Sequence, residues 1–193
     1  MKSIEARKIV WLLEQPSAMD VRTAGELKKT GWDVHMVGHR VKDKGSLQAP
    51  EVARHTLPLG VRYPLTYGAF LTAAPLLLWL RPQIIHAHGL SSHGILTAVY
   101  RRFLRFRPTV LSVTGPDVTR DAAGGMIRWS AEHALRMFEV IITPDDKFTL
   151  DALNRLEPLQ DRIIIRDTDG YNDAVARAAE LAAVYEKLLQ HEH

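Results

Sequence analysis

The chain has no cysteine among its 193 residues, which excludes a disulfide framework and any thiolate metal site and fits a reducing compartment. It has no "GxGxxG" and no "GxxxxGK[ST]", so it carries neither a dinucleotide fingerprint nor a P-loop. No serine sits in a "GxSxG" elbow, and nucleophilic catalysis has little support. Long apolar runs are missing too. Residues 67–80, "YGAFLTAAPLLLWL", cover 14 positions and contain Pro75, against the roughly 20 residues a membrane-spanning helix needs. The start, "MKSIEARK", is charged and leads straight into an apolar strand, so no signal peptide is expected and the cytoplasm is the expected location.

What is present reads as globular. At 46% hydrophobic and 24% charged, the chain has the composition of an ordinary folded domain, long enough for one good core and short for two. The formal charge of +3 is small but unevenly placed. Residues 100–107, "YRRFLRFR", set Arg101, Arg102, Arg105 and Arg107 among aromatic and apolar side chains. Two readings stand side by side: the basic end of a solvated helix, or a contact for an anionic membrane surface. A nucleic-acid partner is not expected.

Apolar runs alternate with helix-like stretches along the chain. "IVWLL" (9–13) reads as a strand buried on both faces, and "VRTAGELKKTG" (21–31) as a helix that Gly31 ends. "WDVHMVGH" (32–39) completes a strand–helix–strand unit. Further strands are expected at 52–58, 83–88, 109–115, 139–144 and 162–167. Helices are expected at 67–80, 92–106 and 126–138 and up to Leu156, with Ser91 or Ser92 capping the second and Asp145 or Asp146 the last. This spacing predicts an α/β fold, a doubly wound, mostly parallel sheet of about seven strands, Rossmann-like, over 1–170. In the tail, 171–193, Val175, Ala178, Ala182, Tyr185 and Leu189 step by three or four, which predicts a long amphipathic C-terminal helix packed on the same domain.

Ligands of such sheets bind outside the carboxyl ends of the strands. "IIHAHGLSSHG" (84–94) brings three histidines there. His86 and His88 are two apart and so share one side of a strand, with His93 a short loop away. A zinc site would use this set, yet the best distant candidates, His133 and Asp117, have no recognisable spacing, and no metal is expected. The competing reading has His86 hydrogen-bonded in the strand and His88 lining the cleft. "TGPDVTRD" (114–121) offers Gly115 for a turn and Asp117 at the lip, either to hold sugar hydroxyls or to cap the helix or turn after it.

The order "RPQIIHAHGLSSHGILTAVYRRFLRFRPTVLSVTGPDV" resembles the acceptor-side, N-terminal domain of GT-B retaining glycosyltransferases, in particular glycosyltransferase family four. In that family a "PDxxHxH" strand, a "G" helix and a "P-x-V-x-T-x-H-G-x-D" strand and loop occur in this order. Pro82 to His88 and Pro108 to Asp117 match, with Gln83 replacing the usual Asp and Thr114 the usual His. The Gly-Gly pair that usually comes after the first strand is "EQPSAMDVRT" here. The resemblance implies His88 and Asp117 as the cleft residues closest to chemistry, and His86, Gly89, His93, Thr114 and Gly115 as acceptor contacts. It also implies a nucleotide-sugar donor held by a second, C-terminal domain that is not matched within this chain, so no cofactor is expected for the chain alone. "YNDAVARAAELAAVYEKLL" resembles the last helix of such enzymes, which crosses back onto the first domain.

The expected function is therefore the acceptor-binding half of a glycosyltransferase, inactive by itself. A donor domain or a second copy would meet it through an exposed apolar face. The alternatives are a peripheral membrane or partner-docking module, resting on 100–107 with Arg101, Arg102, Arg105 and Arg107 and on the apolar helix 67–80 and lying at the inner face if on a membrane, and a small metal-dependent hydrolase using His86, His88 and His93.

Overall fold

A computed structural model describes residues 7–38, 52–57, 66–114, 118, 125–156, 163–166 and 173–190. The strands are β1 (Arg7–Leu12), β2 (Trp32–Gly38), β3 (Ala53–Thr56), β4 (Ile84–His88), β5 (Thr109–Ser112), β6 (Val140–Pro144) and β7 (Ile163–Arg166). They form one sheet in the order β3-β2-β1-β4-β5-β6-β7, with every neighbouring pair parallel. The helices are α1 (Ala18–Lys29), α2 (Thr66–Leu80), α3 (Ile95–Leu104), α4 (Gly125–Leu135), α5 (Lys147–Leu156) and α6 (Ala174–Gln190).

The strand order decides which face each helix covers. A right-handed crossover from β1 to β2 puts α1 on one face, and crossovers running the other way put α2 to α5 on the opposite face. Alternating side chains match this division. Ile9, Trp11, Ile84 and Val110 pack with Val21, Ala24 and Leu27 of α1, while Val10, Leu12 and Ile85 pack with Leu77 of α2 and Leu96 and Tyr100 of α3. Further along, Leu111 and Ile141 meet Ala131 and Leu135 of α4. This topology leaves β4 and β5 without a crossover helix on the α1 face. The last helix, α6, fills that place, burying Ala178, Leu181 and Tyr185 beside α1.

Several local expectations change. In α6 the buried stripe runs through Arg177, Ala178, Leu181 and Tyr185, and Val175 is exposed. Val175 sits in the first turn, and Arg177 turns inward because Asp20 waits for it. Helix α1 starts earlier than its apolar stripe suggests. Ser17 and Asp20 form a capping box, with Ser17 Oγ accepting from Asp20 N (3.1 Å) and Asp20 Oδ2 accepting from Ser17 N (2.9 Å). The N-cap position of α3 falls on Gly94, not on Ser91 or Ser92. A π-helical turn, Leu90–Gly94, precedes the helix, and Gly94 holds the cap without a side-chain bond. A Cβ on Gly94 would stand 3.1 Å from the Gly89 carbonyl oxygen, so a larger residue there would force this turn to shift by a few tenths of an ångström. Asp146 caps α5, accepting from Thr149 N at 2.7 Å.

Arg101 is engaged within the fold. Its guanidinium lies 2.6 Å from Glu139, and the other oxygen of that carboxylate accepts from Thr109 N and Oγ1. The pair ties the end of α3 to the start of β5 and β6. Among the described residues, no helix is long and apolar enough to cross a membrane.

Candidate functional site

The sheet reverses its winding between β1 and β4. At such a switch point the loops after the two strands diverge to opposite faces and leave a crevice. Trp11 on β1, His86 and His88 on β4 and Ser112 on β5 point toward the α1 and α6 face there. The His86 and His88 rings are 4.5 Å apart between centroids, and Trp11 lies 5.0 Å from His88 and 5.9 Å edge-on from His86.

His86 and His88 share a face but not an environment. His86 is fully buried. Trp11 Nε1, which can only donate, bonds to Tyr185 Oη at 3.1 Å, so the phenol proton is left for His86 Nδ1 at 2.5 Å. The His86 Nε2 proton then goes to Ser112 Oγ at 2.7 Å. The expectation that His86 touches an acceptor is corrected by this burial: α6 lies over it, and both ring nitrogens are engaged inside the protein. His88, one pleat further on, is less enclosed, partly buried at the strand end with its Nε2 turned into the protein.

Tyr185→Phe removes one oxygen and leaves two buried polar groups, Trp11 Nε1 and His86 Nδ1, without these bonds. Each costs about 1–3 kcal/mol to strand. We expect a loss of roughly 2–4 kcal/mol in urea unfolding. A loss under about 1 kcal/mol would mean that the relay contributes nothing beyond ordinary packing.

Around His88 stand an acid and a second imidazole. Burial alone would raise the Asp20 carboxyl, but His88, Arg177 and the hydrogen bonds from Ser17 together hold it below the usual carboxylate range. Arg177 Nη2 reaches Asp20 Oδ1 at 2.9 Å. His93 is turned inward by the π-helical turn and is only 3% exposed. Burial, with His88 beside it, pushes its imidazole down to about 3. Its Nε2 has no hydrogen-bond partner among the described residues. His93 therefore supports the floor of the crevice and does not present a nitrogen to it, contrary to its expected acceptor contact.

Gly89 closes the β4 end with φ +91, a left-handed turn in which its N–H donates to the Ser112 carbonyl at 2.8 Å. Thr114 is exposed at the lip after β5. Gly115 and Asp117 lie outside the described residues, so their expected roles are not placed. His133 is on α4, its ring 4.4 Å from Trp129 and exposed, away from the β4 histidines. Among the described residues no group of three or more metal-ligating side chains is assembled.

The open part of the crevice is thus His88, Gly89 and Thr114, with the α1 amino end and Asp20 on one side. An imidazole, a carboxylate and exposed backbone suit the hydroxyl groups of a small polar ligand. The family profile described as Glycosyl transferase 4-like matches residues 8–143, well over half of the chain. The chain belongs to the glycosyl transferase 4-like family.

Solved structures agree with this family at the level of fold. A sucrose-phosphate synthase from Thermosynechococcus elongatus superposes with a TM-score of 0.67 at 15% identity, covering 94% of this chain and 99% of that one. UDP-GlcNAc 2-epimerase from Methanocaldococcus jannaschii gives 0.57 at 14% identity, covering 82% and 45%. MurG from Acinetobacter baumannii gives 0.54 at 12%, covering 83% and 45%. This glycosyl transferase 4-like chain therefore spans less than half the length of the epimerase and of MurG. No curated protein matches it. The Rossmann-like, GT-B character of the domain is established by these matches.

Ser17, Asp20, Trp11, Arg177 and Tyr185 are site residues that sequence reasoning missed. The capping pair had a signal, "SAMD", which fits the S-x-x-D pattern at a helix start.

Proposed function

We propose that this domain is the acceptor-side half of a nucleotide-sugar-dependent glycosyltransferase, with His88 as the side chain closest to the reacting hydroxyl. The observation that carries the proposal is His88 itself: partly buried at the end of β4, at the switch point, and facing the ionised Asp20. An acceptor hydroxyl bonded to this imidazole would lie against the Gly89 backbone. Glycosyl transfer needs a second wall to carry the donor, and a donor-binding domain on another segment or chain would supply it. The donor's sugar and phosphates would then approach from above the carboxyl edge, where Phe148 and Val175 are exposed apolar side chains suited to contact that domain. In this reading the isolated chain binds acceptor weakly and turns nothing over.

The test is NMR titration of the isotope-labelled chain with methyl hexosides and hexose phosphates, and then with UDP-glucose, GDP-mannose and ADP-glucose. Shifts confined to His88, Gly89 and Thr114 with the first set, lost in His88→Ala, are the expected result. Donor affinities weaker than roughly 1 mM are expected in the second set. Turnover, or micromolar donor binding, would overturn the division of labour. An acceptor panel that leaves the His88 and Gly89 signals unmoved would overturn the acceptor role.

A further inference from the structure

A different end of the molecule carries the second inference. Helices α2 and α3 run against the strands, so both finish at the amino edge of the sheet, where they feed the adjacent strands β4 and β5. They finish in the same way. Trp79-Leu80-Arg81 ends α2 and Phe103-Leu104-Arg105 ends α3, with Pro82 after the first and Phe106-Arg107-Pro108 after the second.

In each triplet the leucine packs into the cluster formed with Leu77 and Tyr100. In each, the aromatic ring before it faces water, Trp79 at 73% and Phe103 at 71% exposure. In each, the arginine after it holds a left-handed backbone, with φ 48 at Arg81 and φ 58 at Arg105. That position after a helix is one that glycine fills without strain and that a long side chain occupies at a cost. Two arginines kept in strained backbone at matching places, each beside an exposed aromatic ring, indicate that the cations themselves are used. Arg102 and Arg107 are also exposed, and Leu78 adds a second apolar side chain. No carboxylate of the described residues pairs with Arg81, Arg102, Arg105 or Arg107.

We propose that this edge is a docking surface for an anionic lipid bilayer, with Trp79 and Phe103 entering the headgroup region and Arg81, Arg102, Arg105 and Arg107 meeting lipid phosphates. Wide aromatic rings flanked by arginine fit the interface between acyl chains and charged headgroups, whereas the phosphate backbone of a duplex would engage the arginines and leave the two rings in water. The edge lies at the opposite ends of the strands from His88. Docking there holds the crevice roughly 17 Å from the lipid, about the length of a five-residue strand. The proposal does not depend on glycosyl transfer, and it stands if that reading fails.

Glycine supplies a clean variant. Arg81→Gly/Arg105→Gly removes two charges while leaving the left-handed turns to the residue that suits them, so its Tm should equal or exceed that of the parent. The experiment is sedimentation of the whole chain with vesicles of phosphatidylcholine alone and with 30% phosphatidylglycerol, in rising salt. We expect binding to the anionic vesicles only, falling with salt. It should be weakened roughly thirtyfold by the glycine pair, at about 1 kcal/mol for each arginine. Trp79→Ala/Phe103→Ala should weaken it further without changing the salt response. Protein left in the supernatant with anionic vesicles at low salt overturns the proposal. So does unchanged binding by the glycine pair, and so does tighter binding to a DNA duplex that the same pair abolishes.

Discussion

At pH 5 the protein should be about 2 kcal/mol less stable than at pH 7 through His93 alone. The π-helical turn leaves this imidazole only 3% exposed, and burial with His88 beside it lowers its value to about 3. In the unfolded chain the same group titrates near 6.5. Between these two values the unfolded state binds a proton that the folded state refuses, so acid favours unfolding. The stability that a neutral His93 permits is complete above 6.5 and is lost progressively as pH falls toward 3. Each pH unit inside that window is worth about 1.4 kcal/mol.

His55, lowered by burial and by His35, adds to the loss in the same direction. Asp20 acts only below about pH 4 and so does not contribute between pH 7 and pH 5. Urea unfolding at pH 7, 6 and 5, on the parent and on His93→Gln, isolates the share of one residue. The variant should start lower, because an amide is no easier to bury, but its midpoint should depend less steeply on pH. Parallel pH profiles for the two proteins would remove His93 as the responsible group.

The same residue marks the limit of what pattern reading reaches. Short apolar runs of the "IVWLL" and "IIHAH" kind announce strands covered on both faces, and their alternation with helical stretches leaves few topologies besides a doubly wound sheet. Period two likewise places His86 and His88 on one side of β4. It does not say that α6 returns over His86 and stops short of His88, because that depends on a helix about a hundred residues later in the chain. His93 is harder still. Its inward turn comes from a π-helical step, and no periodicity signals one. Arg177 reads as a solvated cation between alanines until Asp20 is seen opposite. Arg81 and Arg105 form a legible repeat, "WLR" and "FLR", yet the left-handed backbone that gives the repeat its meaning appears only in three dimensions.

Arg177→Met should cost about 3–5 kcal/mol, the range for breaking a buried ion pair from one side. The guanidinium side chain is 4% exposed and its partner Asp20 14%, so water cannot replace the lost contact. What remains is a carboxylate under α6 with only Ser17, the α1 amino end and His88 to stabilise it, which favours the lower part of that range. Adding Asp20→Asn to Arg177→Met should recover part of the loss, since an amide needs no counter-charge there and its oxygen can still accept from Ser17 N. If the double variant is as unstable as the sum of the singles, the two side chains do not act as a pair.

The pH response provides a second readout. The folded Asp20 value lies below the unfolded one, so its contribution is present above about 3.9 and is lost as pH falls through the folded value. Without Arg177 the folded value rises and acid unfolding begins at a higher pH. Because Asp20 also faces His88, the substitution should move the His88 ring signals in NMR, whereas a purely mechanical clamp between α1 and α6 would leave them in place. A shift at His88 would therefore mean that the last helix, through one buried cation, sets the electrostatics of the crevice it does not itself line.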